Sequence, residues 1–303
     1  MRIAVISDLH DDLWADPAIG AVPARRQRLA DEAGYTAGNP LGTALADVEL
    51  LVVAGDLANK ARVRWPGAAT RLRRAAPGAR IHVFPGNHDY YMGAFDDAVL
   101  ERHAAKLGLA WAQGRTITGR GRDGPFRIIC ATLWSDYAVA GTPAAAMAEA
   151  RARMNDHRAI RMPASWCRFL PEDAARAHRH QRAGLEAALS KPFDGRTIVV
   201  THHAPHPCCI PANSAEDGLL AGAYASDLSA IMTGPAAPEL WLHGHVHGVG
   251  EMHVGDTRVR NVSLGYPDQF GTTPAVRAAT AQERRSASGR WSSRPEQGRR
   301  PKR

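Results

Sequence analysis

Five short apolar runs, each ending in a turn that carries carboxylate, amide or imidazole groups, limit what this chain can fold into. They read "RIAVISDLH", "LLVVAGD", "IHVFPGNHD", "TIVVTHHAP" and "LWLHGHVHG". Their enrichment in Val and Ile predicts strands buried on both faces, the pattern of sheets covered by helices or by a second sheet. The polar residues gather at the carboxyl ends, which is the edge where layered α/β architectures bind ligands. Helical stretches are expected between the runs at 23–33, 67–76 and 94–107, and most clearly in "LPEDAARAHRHQRAGLEAALS". There Pro171 opens the first turn, Glu172 and Asp173 sit at the positive end of the dipole, and Leu185 and Leu189 are spaced by four. His178 and His180 point apart at i, i+2 spacing and are expected in solvent. Residues 251–262, "EMHVGDTRVRNV", alternate around Gly255-Asp256 as a β-hairpin, so antiparallel strands are expected to finish the domain. Residues 137–170, rich in Ala and Arg, read as helical or as a lid.

At 303 residues the chain is long enough for a core that needs no staples. No internal repeat and no Gly/Ser linker precedes residue 271, which favours one domain over 1–270. The formal charge of +8 resides mostly beyond that point: residues 271–303 hold nine Lys and Arg against two Asp and Glu, leaving 29 basic and 28 acidic residues upstream. That basic segment has too little apolar content to pack and is expected to be a disordered tail. A solubilising role is favoured over a nucleic-acid arm, because aromatic interleaving stops at Trp291. No apolar stretch approaches the roughly 20 residues of a membrane span. Met1 leads straight into a strand pattern with no long apolar leader, so export is not expected. Cys130, Cys167, Cys208 and Cys209 form no CxxC and read as reduced thiols in a cytoplasmic protein.

The chemistry lies in the strand endings. Asp8 and His10 follow the first run, separated by one residue, so strand alternation would send both to one side. Asp56 ends the second run beside Gly55, the third supplies Asn87, His88 and Asp89, the fourth His202 and His203, and the fifth His245 and His247. A single ending of this kind reads as a turn or a satisfied core histidine; five in succession read as a site. Carboxylate, amide and imidazole suit Mn, Fe, Zn, Ni or Co and need no cysteine. Asp8, His10, Asp56, Asn87, His202, His245 and His247 are too many ligands for one ion, but two ions sharing one carboxylate would each have four. Two such cations can activate a water and stabilise both oxygens of an in-line displacement at phosphorus.

The ordered set "SDLH", "AGDLAN", "PGNHD", "VVTHHAP" and "HGHVH" resembles the calcineurin-like metallophosphoesterase superfamily over residues 6–247. The resemblance implies a four-layer α/β/β/α sandwich of the metallo-dependent phosphatase type and a dinuclear centre, with manganese the favoured metal. It implies one metal on Asp8, His10, Asp56 and His247 and a second on Asp56, Asn87, His202 and His245, with His203 the alternative to His202. It further implies metal-dependent hydrolysis of a small phosphomonoester or phosphodiester by a hydroxide bridging the metals. His88 would reach the substrate, and Asp89 would orient its ring. His243 is left as a spare, expected to be a partly buried histidine pairing with the sheet, and His206 is unassigned. "TLWSDY" (132–137) and "TRVRNVSLGYP" (257–267) are similar to segments of a compact bacterial branch, although Asn261 is followed by "VSL" instead of a Pro-containing spacer. Trp134 and Tyr266 read at least as readily as ordinary core or rim aromatics as they do as functional residues. Two further readings are a nuclease using the basic tail and a non-catalytic metal-binding scaffold.

Overall fold

All five apolar runs form strands in the computed structural model, which describes residues 1–15, 45–211, 218–248 and 250–266. Four strands, β1 (Ile3–Ile6), β2 (Leu50–Ala54), β3 (Arg80–Phe84) and β4 (Ala110–Trp111), make a fully parallel sheet in that order. Six more make a mixed sheet: β5 (Thr116–Gly121), β6 (Gly124–Ala131), β7 (Arg196–Thr201), β8 (Leu240–His243), β9 (Glu251–Val254) and β10 (Thr257–Asn261). Their spatial order is β5-β6-β7-β8-β10-β9, with a parallel centre and an antiparallel strand on each edge.

The alternation of side chains along each strand builds the layers. Val5, Leu50, Val52 and Phe84 from the first sheet share one cluster with Phe126, Ile128, Val200 and Leu242 from the second, so the two sheets pack face to face. The neighbouring residues Ala4, Ile6, Leu51 and Val53 turn the other way, onto Trp65 and Leu72 of the helix Ala61–Ala75. Ile129, Val199 and Trp241 turn outward onto Leu185 and Leu189 of the helix Pro171–Leu189. Each fully buried Val, Leu, Ile or Phe among them contributes about 1.5–3 kcal/mol. The result is the expected α/β/β/α order.

The helices match the sequence pattern where it was strongest. Pro171 stands in the first turn of its helix, and the Leu170 N–H donates to Asp173 Oδ2 at 2.9 Å, which closes the amino-terminal end. Helices also cover Asp97–Lys106, Pro143–Arg153 and the short stretch Asp156–Ala159, so the 137–170 region is helical in part. His180 is exposed, but His178 is buried and gives its Nδ1 to the Leu133 carbonyl at 3.0 Å, contrary to expectation. The i, i+2 spacing separates the two rings, and the inner one faces the sheet. The 251–262 hairpin forms as β9 and β10, yet β10 runs parallel to β8, so the sheet closes by a crossover. The 23–33 helix and the 271–303 tail fall outside the described residues. Among the described residues no helix is long and apolar enough to cross a membrane.

Candidate metal centre

The strand-end loops are held in backbone conformations that side chains rarely adopt. Asp8, His10, Asp56 and His245 have φ of 55°, 43°, 54° and 66°, in the left-handed region that costs a non-glycine residue of order 1 kcal/mol each. Asp8 and His10 therefore do not converge by strand alternation. β1 stops at Ile6, and the loop beyond it runs beside the next one, with Asp8 N donating to Gly55 O (3.1 Å) and His10 N to Asp56 O (3.0 Å). His245 N in turn donates to both oxygens of Asp8, at 3.1 and 3.0 Å. These ties hold the strained conformations in place and turn the side chains inward.

The side chains so placed meet. Ligand atoms of Asp8, His10 and His247 lie within 4.8 Å of one another, as do those of Asp8, Asp56 and His202, and those of His10, Asp56 and His88. His202 Nε2 stands 3.5 Å from Asp56 Oδ1 and 3.0 Å from Asn87 Oδ1, and His245 Nδ1 stands 3.2 Å from the same Asn87 oxygen. All seven residues expected to hold metal are thus in one cluster. His202 is fixed from behind by its Nδ1 on the Ala54 carbonyl at 2.9 Å, which aims Nε2 at Asp56. His203 stacks on His245 with ring centroids 4.0 Å apart and gives Nδ1 to Thr132 O, although it too forms a triplet with His202 and His245. His243 is buried, with Nδ1 on the Gly244 carbonyl and its pKa pushed down to about 4 by burial.

Charge and solvation in this cluster are unfavourable for a chain by itself. Burial, then the neighbouring carboxylates Asp8 and Asp89, raise Asp56 well above the usual carboxylate range. Burial would raise Asp8 as well, but the bond from His247 and the charges of His202, His247 and His10 carry it well below that range. Burial pushes His245 down to about 3 and His10 well below an ordinary imidazole, so these rings are neutral lone-pair donors. His10 Nδ1 and His245 Nε2 are buried with no partner among the described residues, and His10 Nε2 faces His247 Nε2 across 3.2 Å. Neutral imidazoles, carboxylates and an amide oxygen crowded in this way fit divalent cations.

Small residues leave room for that crowding. A Cβ on Gly86 would overlap Asp56 Oδ1 and come within 2.6 Å of His202 Cε1, and one on Gly244 would overlap Ser7 and Asp8.

The assignment to Asp89 needs correction. His88 Nδ1 lies 3.0 Å from Asn59 Oδ1, so Asn59 is the residue that orients the ring. Asp89 is occupied beneath the loop, accepting from the N–H groups of Asp56, Leu57, Ala58 and Gly86 and from Trp65 Nε1. Burial raises its pKa to about 6 against the pull of those bonds.

Several supporting residues stand apart from the strand-end pattern of the sequence. Asp156 accepts from Asn87 Nδ2 at 2.8 Å and from the Tyr91 hydroxyl, which turns the Asn87 oxygen toward the histidines. Ser263 Oγ donates to Asp8 Oδ2 at 2.7 Å, and Asn261 Nδ2 donates to Val246 O at 2.6 Å. The Asn in "AGDLAN" and the acid in "MNDH" were the available cues. Tyr91 stacks on His88 at 4.2 Å, and Tyr266 lies 4.5 Å from both His10 and His247, so Tyr266 is a rim aromatic of the site. Trp134 is core, packed on Phe169 and His203.

The family described as calcineurin-like phosphoesterase matches residues 1–138. Over that stretch the chain is similar to calcineurin-like phosphoesterases. "SDLH", "AGDLAN" and "PGNHD" fall inside the match, while the histidines of "VVTHHAP" and "HGHVH" lie beyond it. Among solved structures, phosphopantetheinyl hydrolase (PptH) from Mycobacterium tuberculosis is similar at a TM-score of 0.65 and 19% identity, covering 95% of this chain and 98% of that one. That likeness is one of fold. The protein TT1561 of Thermus thermophilus aligns at a TM-score of only 0.44 and 16% identity, over 88% of this chain and 91% of that one. No curated protein matches significantly. The calcineurin-like match supports hydrolysis of phosphoesters with divalent metal ions as the general activity.

Proposed function

We propose that the chain hydrolyses a small phosphoester at a centre of two divalent cations, held by Asp8, His10, Asp56 and His247 on one side and by Asp56, Asn87, His202 and His245 on the other. The observation that carries this reading is the convergence of seven nitrogen and oxygen donors from five strand ends into one cluster. When bound, such a pair of cations supplies a water activated at neutral pH and neutralises charge developing on phosphoryl oxygens. Asp56, reaching both halves, acts as the shared ligand. His203, stacked behind His245, acts as support to the ligand set.

The protein's own groups supply orientation. With Nδ1 on Asn59, His88 has its other nitrogen for a phosphoryl or leaving-group oxygen, and a proton taken up by the ring resides there. Tyr91 keeps that ring in plane from one face. Tyr266, over His10 and His247, covers the cluster and limits access of water. Mn, Fe, Zn, Ni and Co all suit ligands of these types, and manganese is the one proposed. The catalytic unit is assigned to residues 1–270.

The test is a panel of phosphomonoesters, phosphodiesters and nucleotides, with a phosphopantetheinyl diester included, assayed with Mn, Zn, Ni and Mg. Turnover of at least one class is expected, lost on chelation, restored by metal and abolished in Asp56→Asn. Unchanged turnover in metal-loaded Asp56→Asn, or none with any metal, overturns the reading.

A further inference from the structure

Asp12 stands outside the metal cluster, buried in the first turn of the short helix Asp11–Ala15, and none of the assignments above uses it. Its two oxygens are both directed at one residue. Oδ1 accepts from the backbone N–H of Asn59 at 3.2 Å, and Oδ2 accepts from the Asn59 side-chain Nδ2 at 2.9 Å. The turn that carries Asp12 is itself anchored, because Arg71 of the helix Ala61–Ala75 grips the adjacent Asp11.

This clamp decides a question of direction. A side-chain amide can present either its oxygen or its nitrogen to a neighbour, and an imidazole can carry its proton on either nitrogen, so an isolated Asn–His contact is ambiguous. A carboxylate only accepts. With Asp12 against one end of the Asn59 amide, the NH₂ group must face Asp12, since the reversed amide would set two acceptors 2.9 Å apart. The Asn59 oxygen then faces His88 Nδ1 at 3.0 Å, and because that oxygen cannot donate, the ring must. The proton is thereby held on Nδ1, and Nε2 is the nitrogen left for substrate.

We propose that Asp12 is a positioning residue that fixes the amide direction of Asn59 and, through it, the Nδ1–H tautomer of His88. The proposal rests on the reading of His88 as a substrate-facing group only for its effect on turnover; the tautomer itself is independent of that reading. Substitution by the isosteric amide removes the direction and keeps the volume. An Asn at position 12 can donate as well as accept, which frees the Asn59 amide to reverse and offer its NH₂ to His88, favouring a proton on Nε2.

The experiment has two readouts on the full chain. Ring ¹⁵N–¹H correlation spectra of the zinc-loaded and metal-free protein report the tautomer, with the His88 signals identified by their loss in His88→Ala. Wild type is expected to show Nδ1–H and Asp12→Asn to shift toward Nε2–H. In the metal-loaded enzyme, kcat of Asp12→Asn is expected to fall by about 10- to 100-fold, the usual span for a residue acting behind a site group. KM and bound metal should stay unchanged. The exchanged pair Asp12→Asn/Asn59→Asp should recover tautomer and turnover, since the amide at 12 then donates to a carboxylate at 59 that still accepts from Nδ1–H. An Nε2–H ring in wild type overturns the proposal, as does an exchanged pair no better than Asp12→Asn. Full turnover in His88→Ala removes the substrate-facing role of His88, while the spectra still decide the role of Asp12.

Discussion

Asp89 accepts five hydrogen bonds that join the loop after β2 to the loop after β3 and to the Trp65 indole. Replacing it by alanine leaves buried donors without a partner, and bonds to a charged acceptor contribute about 1.5–3 kcal/mol each before compensation. Asp89→Ala is therefore expected to lower the urea midpoint by an amount equivalent to at least about 3 kcal/mol, measured on the metal-free protein. A midpoint within error of wild type would show that these bonds are made to little effect. The residue was legible as part of "PGNHD", but its partner was not. Sequence order places Asp89 next to His88, whereas the bond to the ring comes from Asn59, 29 positions away in sequence. The same limit hid Asp156 and Ser263, which act on Asn87 and Asp8 from 69 and 255 residues away. Donor types were readable from composition at strand ends; the hydrogen bonds that aim them depend on packing between segments and left no local pattern.

At the scale of elements, the strand ends set the geometry through glycine. Gly86 lies where any side chain would push into Asp56 and His202, so Gly86→Ala must displace one of them. Misplacement of reacting groups by about 1 Å can cost on the order of 100-fold in rate. Gly86→Ala is expected to lose activity by that order and to weaken metal retention during dialysis, with circular dichroism unchanged because β2 and β3 pair upstream of it. Wild-type rates in that variant would mean the loop has room that its neighbours deny. The five strands of the site were readable because each, apart from Arg80 and His82 in β3, carries an apolar run buried on both faces. β5 and β6 went unread, as "GPFRIICA" begins with Gly-Pro and breaks its apolar run with Arg127. That arginine reaches the carboxyl end of the helix Pro171–Leu189 and donates to the carbonyls of Ala188, Leu189 and Lys191.

At the scale of the whole molecule, histidines outside the site link folding to proton binding. Burial lowers the pKa of His157, although Asp156 and the Phe169 carbonyl oppose it, and burial likewise lowers that of His178 against the charge of Asp136. A folded-state pKa below the unfolded value of about 6.5 means that the unfolded chain takes up the proton first. The contribution of these residues to stability is full above about pH 6.5 and is lost as pH falls below it. The drop in urea midpoint between about pH 7.5 and pH 5.5 should accordingly be smaller in His157→Gln/His178→Gln than in wild type; an equal drop in both would assign the dependence elsewhere. The basic segment 271–303 lies outside the 1–270 unit assigned to catalysis, so its deletion is expected to leave turnover of small phosphoesters unchanged. A salt-sensitive affinity for DNA that disappears with the deletion would favour the nuclease reading.

Ser7 bridges to Ser263, and the stretch from Val262 to Gly265 pairs with Ser7 and Asp8, so the end of the second sheet is stitched to the end of the first strand. A growing polypeptide on the ribosome thus makes its earliest donor pair long before the partners that hold that pair in place. Metal capture at the proposed centre would then wait until synthesis has passed His247 and the stitch beyond it, and a product truncated upstream of those positions would carry only part of the proposed donor set.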